Sequence, residues 1–128
     1  MPTAIEMAVE TYIKVWGERD PARRATLIEA CFAPDGRIVT RGRDIVGRAA
    51  FADAVAELQA RAPFDRIRLT SAIDAARTTF RFSGVVDYQD GTSAENFDAG
   101  EVDATGRITT LLTFAGPLRE PSPQRAES

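Results

Sequence analysis

Histidine is absent from this chain of 128 residues. That one gap removes His-centred nucleophile triads, imidazole metal ligation and imidazole acid–base work. Cysteine occurs once, as Cys31, so no internal disulfide can form and a reducing compartment suits the chain. The neighbours Leu27, Ile28 and Phe32 mark Cys31 as a buried structural thiol rather than a nucleophile. Lysine is nearly missing: of 16 basic residues all but Lys14 are arginine, scattered along the chain. A net charge of −3 argues against nucleic acid as partner, since phosphate binding needs a basic face. No apolar run approaches the roughly 20 residues that span a bilayer. The N-terminus lacks the basic-then-apolar order of a secretory signal. The expectation is a cytoplasmic protein with neither a membrane nor a nucleic acid as partner.

What is present reads as one domain. Hydrophobic residues make up 44% and charged residues 27%, enough for a real core in a chain of this size. Thr3 and Glu6 stand in capping-box register before an apolar stripe of Ile5, Ala8, Val9, Tyr12, Ile13 and Trp16. Gly17 ends that first helix. Asp20 and Pro21 open a second as N-cap and first helical residue, with Leu27, Ile28, Cys31 and Phe32 as its inner face. Pro34-Asp35-Gly36 reads as a turn, followed by short strands over 37–40 and 44–46. A third helix follows Gly47, with Phe51, Ala54, Val55, Leu58 and Ala62 apolar and Pro63 closing it. Glu57 and Arg61 have the spacing of an exposed helical ion pair.

Beyond Pro63 the period changes from helical to alternating. Ile67, Leu69, Ser71 and Ile73 share one face of a strand, and Thr78, Phe80, Phe82, Gly84 and Val86 one face of the next. Asp90-Gly91 is a hairpin turn. A long strand over 92–103, a turn at Ala104-Thr105-Gly106 and a strand over 107–115 complete the pattern. Three helices followed by a four-strand antiparallel meander means α+β. The helices hold the remaining apolar surface, so they must pack on one sheet face. A long twisted sheet then curls round them into a cone-shaped roll with space inside. The domain is expected to span residues 1–117, with a polar, mobile tail over 118–128.

The order of elements, with Trp16, Arg19-Asp20-Pro21, Cys31-Phe32-Ala33-Pro34-Asp35-Gly36 and Asp103-Ala104-Thr105-Gly106-Arg107-Ile108, resembles the nuclear transport factor two-like superfamily. Within it the chain is similar to the ketosteroid isomerase and SnoaL-like polyketide cyclase branch, from Thr3 to about Pro117. The family's first-helix tyrosine stands eight residues before the acidic start of the second helix, as Tyr12 stands before Asp20. Its strand aspartate stands eight before the glycine of the last hairpin, as Asp98 stands before Gly106. The resemblance implies that Tyr12 and Asp98 are the catalytic pair, donating hydrogen bonds to a substrate oxygen that becomes an oxyanion. The family's general-base aspartate falls eight residues after the phenylalanine ending the second helix. Counting from Phe32 gives Thr40, which cannot be that base, so the steroid isomerase route is not expected.

Each candidate also has an ordinary reading. A strand Asp is commonly solvated or paired with Arg; buried without a cation, Asp98 would instead hold its proton and donate. Tyr12 and Trp16 lie on the buried stripe of the first helix, as core or as pocket wall. Thr40 is a strand residue or a ligand contact. Asp35 suits its turn, and Asp44 is a weak alternative base. Phe51, Phe64, Phe80, Phe82, Leu111 and Thr113 are core by default, yet some must line any cavity. Asn96 shares the face of Asp98, while Phe97 and Ala99 point outward and suggest a homodimer through the sheet. Arg41, Arg43 and Arg48 rim an entrance for an acidic ligand or belong to a solvated loop. The expected substrate-binding set is thus Trp16, Thr40, Phe51, Phe80, Phe82, Asn96, Leu111 and Thr113. The resemblance implies no metal or organic cofactor. The expected ligand is a small, largely apolar carbonyl or hydroxyl compound, handled by isomerisation, cyclisation, dehydration or hydrolysis. The alternative is a non-catalytic ligand-binding or dimerisation domain.

Overall fold

The computed structural model describes residues 1–122, and the part of the expected mobile tail over 123–128 lies outside them. Helices α1 (Ala4–Gly17) and α2 (Pro21–Cys31) come first, then strands β1 (Phe32–Val39) and β2 (Asp44–Val46) and helix α3 (Arg48–Arg61). Strands β3 (Phe64–Leu69), β4 (Asp74–Ala76), β5 (Thr79–Tyr88), β6 (Ser93–Val102) and β7 (Ile108–Ala115) follow. This is the α+β roll, three helices on a curved sheet.

The first two helix starts are chemically specified. Thr3 Oγ1 accepts from the Glu6 amide at 3.1 Å and Glu6 Oε1 accepts from the Thr3 amide at 3.1 Å. Asp20 Oδ2 accepts from the Arg23 amide at 2.9 Å, with Pro21 at the first helical position. Each satisfies a donor that the first turn leaves open.

The sheet runs β2-β1-β7-β6-β5-β3, with β4 also paired to β5. All ladders are antiparallel except β1 on β7, which is parallel. Three details depart from the sequence expectations. Pro34-Asp35-Gly36 is not a turn but part of β1, where the register to β7 slips between Phe32 and Arg37. A bulge absorbs the proline, which has no N–H to give the ladder. It also needs Gly36, because a Cβ there would come within 2.6 Å of Phe32 Cζ. Secondly, the strand expected through Ile73 stops at Leu69 and resumes at Asp74 as β4. The Ser71 hydroxyl takes the Ser83 amide at 2.8 Å in that gap, and Thr70 bonds the Ser83 carbonyl through its own amide. Thirdly, Glu57 pairs with Arg43 at 2.6 Å instead of with Arg61.

The core lies between the helices and the concave sheet face. Phe51 is fully buried, with ring centroids 5.0 Å from Phe32, 5.5 Å from Trp16 and 5.7 Å from Tyr12. Val9, Val15, Ile28, Cys31, Ile38, Ile108 and Leu111 fill the space around it. The α1–α2 junction is held to α3 by a polar brace. Buried Arg24 donates to the carbonyls of Glu18 and Arg19 and to Gln59 Oε1 at 2.8 Å, while Gln59 Nε2 donates to the carbonyls of Trp16 and Glu18. The brace fixes the C-terminal end of α1, and hence the ring of Trp16, against α3.

Candidate functional site

A cavity of about 390 Å³ opens between α1, α3, the β1–β2 turn and the concave face of β3, β5, β6 and β7. That is the small end of the range of about 300–1,000 Å³ usual for ligand sites. A larger hollow of about 620 Å³ on the outer face of the sheet is lined by Ala99, Gly100 and Leu112, and every charged residue there is exposed.

Asp98 sits in the inner cavity at 3% exposure. Alternation along β6 turns Asn96 and Asp98 inward, and the ladders set Asp98 opposite Phe82 on β5 and Thr113 on β7. Thr113 Oγ1 donates to Asp98 Oδ1 at 2.6 Å, and Asn96 Nδ2 donates to the same oxygen at 3.1 Å. Among the described residues nothing bonds Oδ2. Burial pushes the Asp98 carboxyl above its ordinary value, and the two hydrogen bonds only partly offset this. No arginine or lysine pairs with it among the described residues. Asn96 has room because β5 carries Gly84: a Cβ there would lie 3.0 Å from the Arg68 carbonyl and 3.3 Å from Asn96 Oδ1. Asn96 Oδ1 is buried and has no partner among the described residues.

Tyr12 reaches the cavity from α1 and is 4% exposed. Burial drives its phenol well above the usual tyrosine value, and the nearby Asp98 carboxylate adds to the rise. Tyr12 therefore remains a neutral donor through the whole physiological range. Trp16 packs edge-on to it with centroids 6.3 Å apart and lines the same cavity.

Tyr12, Trp16, Thr40, Phe82, Asn96, Asp98 and Thr113 are thus brought to one cavity. Phe51, Phe80 and Leu111 are not on its wall. Phe51 is the centre of the aromatic core, and Leu111 is fully buried in the same core. Phe80 lies two residues deeper on β5, stacked on Phe82 with centroids 6.2 Å apart, and its ring covers Gly100. A Cβ at Gly100 would meet the Thr110 carbonyl and come within 2.7 Å of Phe80 Cζ.

Thr40 borders the cavity, but its hydroxyl is engaged by the β1–β2 turn. Oγ1 accepts from the amides of Gly42 at 3.2 Å and Arg43 at 3.0 Å, and the Thr40 amide donates to the Arg43 carbonyl at 2.9 Å. Asp44 is outside the cavity: both its oxygens face Arg37, at 2.7 and 2.8 Å. The hydrogen bonds from Arg37 hold its carboxyl below the usual range. Among the described residues Asp98 is consequently the sole carboxyl lining the cavity. Arg48 is not at the entrance. Its guanidinium donates to the carbonyls of Phe32 and Glu29 at the end of α2. Arg61 and Arg68, which the spacing of the glycines did not mark, join Arg41 and Arg43 in the lining. Tyr88, two residues beyond Val86 on the inward face of β5, also joins it. The period-two pattern continued to Tyr88 is the signal that locates it. Cys31 is fully buried, and burial pushes its thiol up to about 12. No group of three or more metal-ligating side chains is assembled among the described residues.

No family model matches the sequence, and no curated protein matches it. Solved structures do. An isomerase of the SnoaL-like family from Agrobacterium tumefaciens, provisionally assigned as such, superposes with a TM-score of 0.82 at 25% identity, covering 91% of this chain and 100% of that one. A nuclear transport factor two-like protein of unknown function from Burkholderia xenovorans gives 0.68 at 13% identity, over 97% and 91% of the two chains. An epoxide hydrolase of the LEH-like type from M. tuberculosis gives 0.65 at 18% identity, over 88% and 82%. The last two likenesses are of fold.

Proposed function

That the chain belongs to the SnoaL-like branch of the nuclear transport factor two-like superfamily is the premise from which we propose its activity. The protein binds a small, largely apolar molecule in the inner cavity, with a carbonyl or hydroxyl oxygen held by Asp98 and Tyr12. The carrying observation is the state of Asp98: buried, bonded only by neutral donors, and raised above its ordinary value by burial. Such a carboxyl can present a proton to a ligand oxygen, or take one and return it. As the sole carboxyl of the cavity among the described residues, it is the group through which proton transfer would run. Tyr12, kept neutral, stabilises negative charge developing on that oxygen. Isomerisation, cyclisation, dehydration or hydrolysis of a carbonyl or hydroxyl compound would each use this pair.

The second reading, a binding protein without catalysis, is favoured by Thr40. Where the family resemblance expects a base, there is a hydroxyl committed to holding a turn. Ligand binding with and without turnover separates the two. A compound that co-purifies in the cavity, identified by mass spectrometry, is incubated with wild type, Asp98→Asn and Tyr12→Phe. Turnover by wild type, lost by at least about 100-fold in Asp98→Asn, supports catalysis. Binding without turnover supports the carrier reading. Equal binding by all three proteins would end the polar-pocket reading altogether.

The partner on the outer face is proposed to be a second copy of this chain. Phe97 and Phe114 stand directly opposite each other across β6 and β7, with Leu112 beside them, and they are 37%, 49% and 38% exposed. An apolar face on the two central strands, self-complementary by rotation, suits an isologous contact.

A further inference from the structure

The opening of the cavity carries chemistry that the oxygen-holding pair does not use. Exposure rises along each wall in one direction. On α3, Ala54 is buried, Leu58 half-buried and Arg61 exposed. On β6 the step from Asp98 to Asn96 goes outward, as does that from Thr113 to Ala115 on β7. Just past the end of β1 the half-buried Thr40 is followed by exposed Arg41. All of these residues line the same cavity. It therefore has a closed end at Asp98 and an open end ringed by Arg41, Arg43, Arg61 and Arg68.

Two of the four arginines are already matched. Arg43 Nη1 lies 2.6 Å from Glu57 Oε2, and Arg68 meets Asp87 at 2.9 and 3.4 Å. The guanidinium groups of Arg41 and Arg61 meet no partner among the described residues. The Arg41 position is nonetheless fixed, because Thr40 ties the turn on both sides of it. Arg61 projects from the last turn of α3, which Phe51, Ala54 and Val55 anchor in the core. Among the described residues no acidic side chain other than Asp98 lines the cavity. In a chain of net charge −3, two unmatched guanidinium groups at the mouth of an apolar cavity form a local positive field. Such a field draws and orients anions.

We infer that the ligand carries a carboxylate at the end opposite its carbonyl or hydroxyl, held at the mouth by Arg41 and Arg61. The planar fork of arginine matches a carboxylate with paired hydrogen bonds. The ligand then lies with its neutral oxygen at Asp98 and Tyr12, its apolar body against Leu58, Ile67 and Phe82, and its charge at the water-facing end. This orientation also protects the raised carboxyl of Asp98, because the anion is kept at the far end of the cavity. The inference rests on the oxygen-holding reading above and adds a class of substrate to it: small hydroxy- or oxo-carboxylic acids.

The test uses paired probes, 6-hydroxy-2-naphthoate and its neutral methyl ester, among a panel of small aryl and alkyl hydroxy- or oxo-carboxylates with their methyl esters. Binding is read by Trp16 fluorescence and calorimetry at low salt. The expected result is that the acid of a pair binds wild type at least about ten-fold more tightly than its ester. Arg41→Gln with Arg61→Gln should weaken the acid at least about ten-fold more than the ester and reduce the salt dependence of the acid's binding. Equal affinity of acid and ester in wild type, or an acid indifferent to the double substitution, would overturn the inference. An ester that binds wild type yet is indifferent to Asp98→Asn and Tyr12→Phe refutes the oxygen-holding reading instead. Failure of every pair to bind counts against both.

Discussion

Thr113 donates its hydroxyl proton to Asp98 Oδ1 across the β6–β7 ladder at 2.6 Å. With the bond from Asn96 it satisfies one carboxyl oxygen, and among the described residues nothing bonds the other. Thr113→Val removes that donor while conserving shape. It should raise the Asp98 carboxyl further above its ordinary value, because a hydrogen bond to the charged form is lost. The cost in stability should be about 1 kcal/mol. Carboxyl-carbon NMR titration of wild type and variant measures the first effect and urea unfolding the second; an unmoved titration would contradict the pairing.

Asp98 also sets a pH dependence of stability. Its folded value lies above the unfolded one, so between the two the native state binds the extra proton. Its contribution is complete below the unfolded value and is lost as pH rises through the folded value. Asp98→Asn does not titrate. The melting temperature of the variant should therefore gain on wild type as pH rises from the ordinary carboxylate range through the raised value of Asp98. A difference that is flat with pH, or reversed, would contradict the burial argument.

The Cys31 thiol is fully buried and pushed up to about 12. The native protein should not react with a thiol-specific reagent such as dithionitrobenzoate at pH 8, and urea should release one equivalent. Stoichiometric labelling of folded protein would show that α2 opens locally.

The Arg24–Gln59 brace joins three backbone carbonyls to two side chains. Gln59→Leu leaves the Trp16 carbonyl and one Arg24 donor without partners in a half-buried place. Each such loss costs about 1–3 kcal/mol, so a total near 2–4 kcal/mol is expected by urea unfolding. Ligand affinity should fall with it, because the brace holds the end of α1 that carries Trp16.

A self-association test addresses the outer face. Phe114→Glu places a charge opposite Phe97, in the middle of the apolar patch. Sedimentation should show wild type as a dimer and the variant as a monomer with an unchanged melting profile below micromolar concentration. A wild type that stays monomeric at the highest concentration would remove the second copy from the proposal.

Much of this was legible before any coordinates. Thr3, Glu6, Asp20 and Pro21 are local signals, and local chemistry decides helix starts. The alternation through Phe80, Phe82 and Gly84, and through Asn96 and Asp98, gave the inward face because a strand has only two faces. Long-range choices were less visible. Pro34 and Gly36 carry turn chemistry, yet β7 recruits them into a strand through a bulge. Glu57 had a partner at helical spacing in Arg61 and took Arg43 instead, since the β1–β2 turn folds back over α3. Phe51, Phe80 and Leu111 could not be assigned to wall or core, because depth along a strand or helix is set by neighbours from elsewhere in the chain. Arg61 and Arg68 joined the mouth for the same reason.

The parallel pairing of β1 with β7 has a kinetic consequence. Residues near Ile38 must wait for partners near Leu111, while β2 covers only the other edge of β1. Until β7 inserts between β1 and β6, both strands present open edges, and Asp98 has no hydroxyl from Thr113. Closing so long a loop is slow relative to local hairpins. During synthesis the cavity is therefore the last part of the molecule to exist. A nascent chain held just short of β7 lacks Thr113 and Ala115, and with them one wall of the cavity.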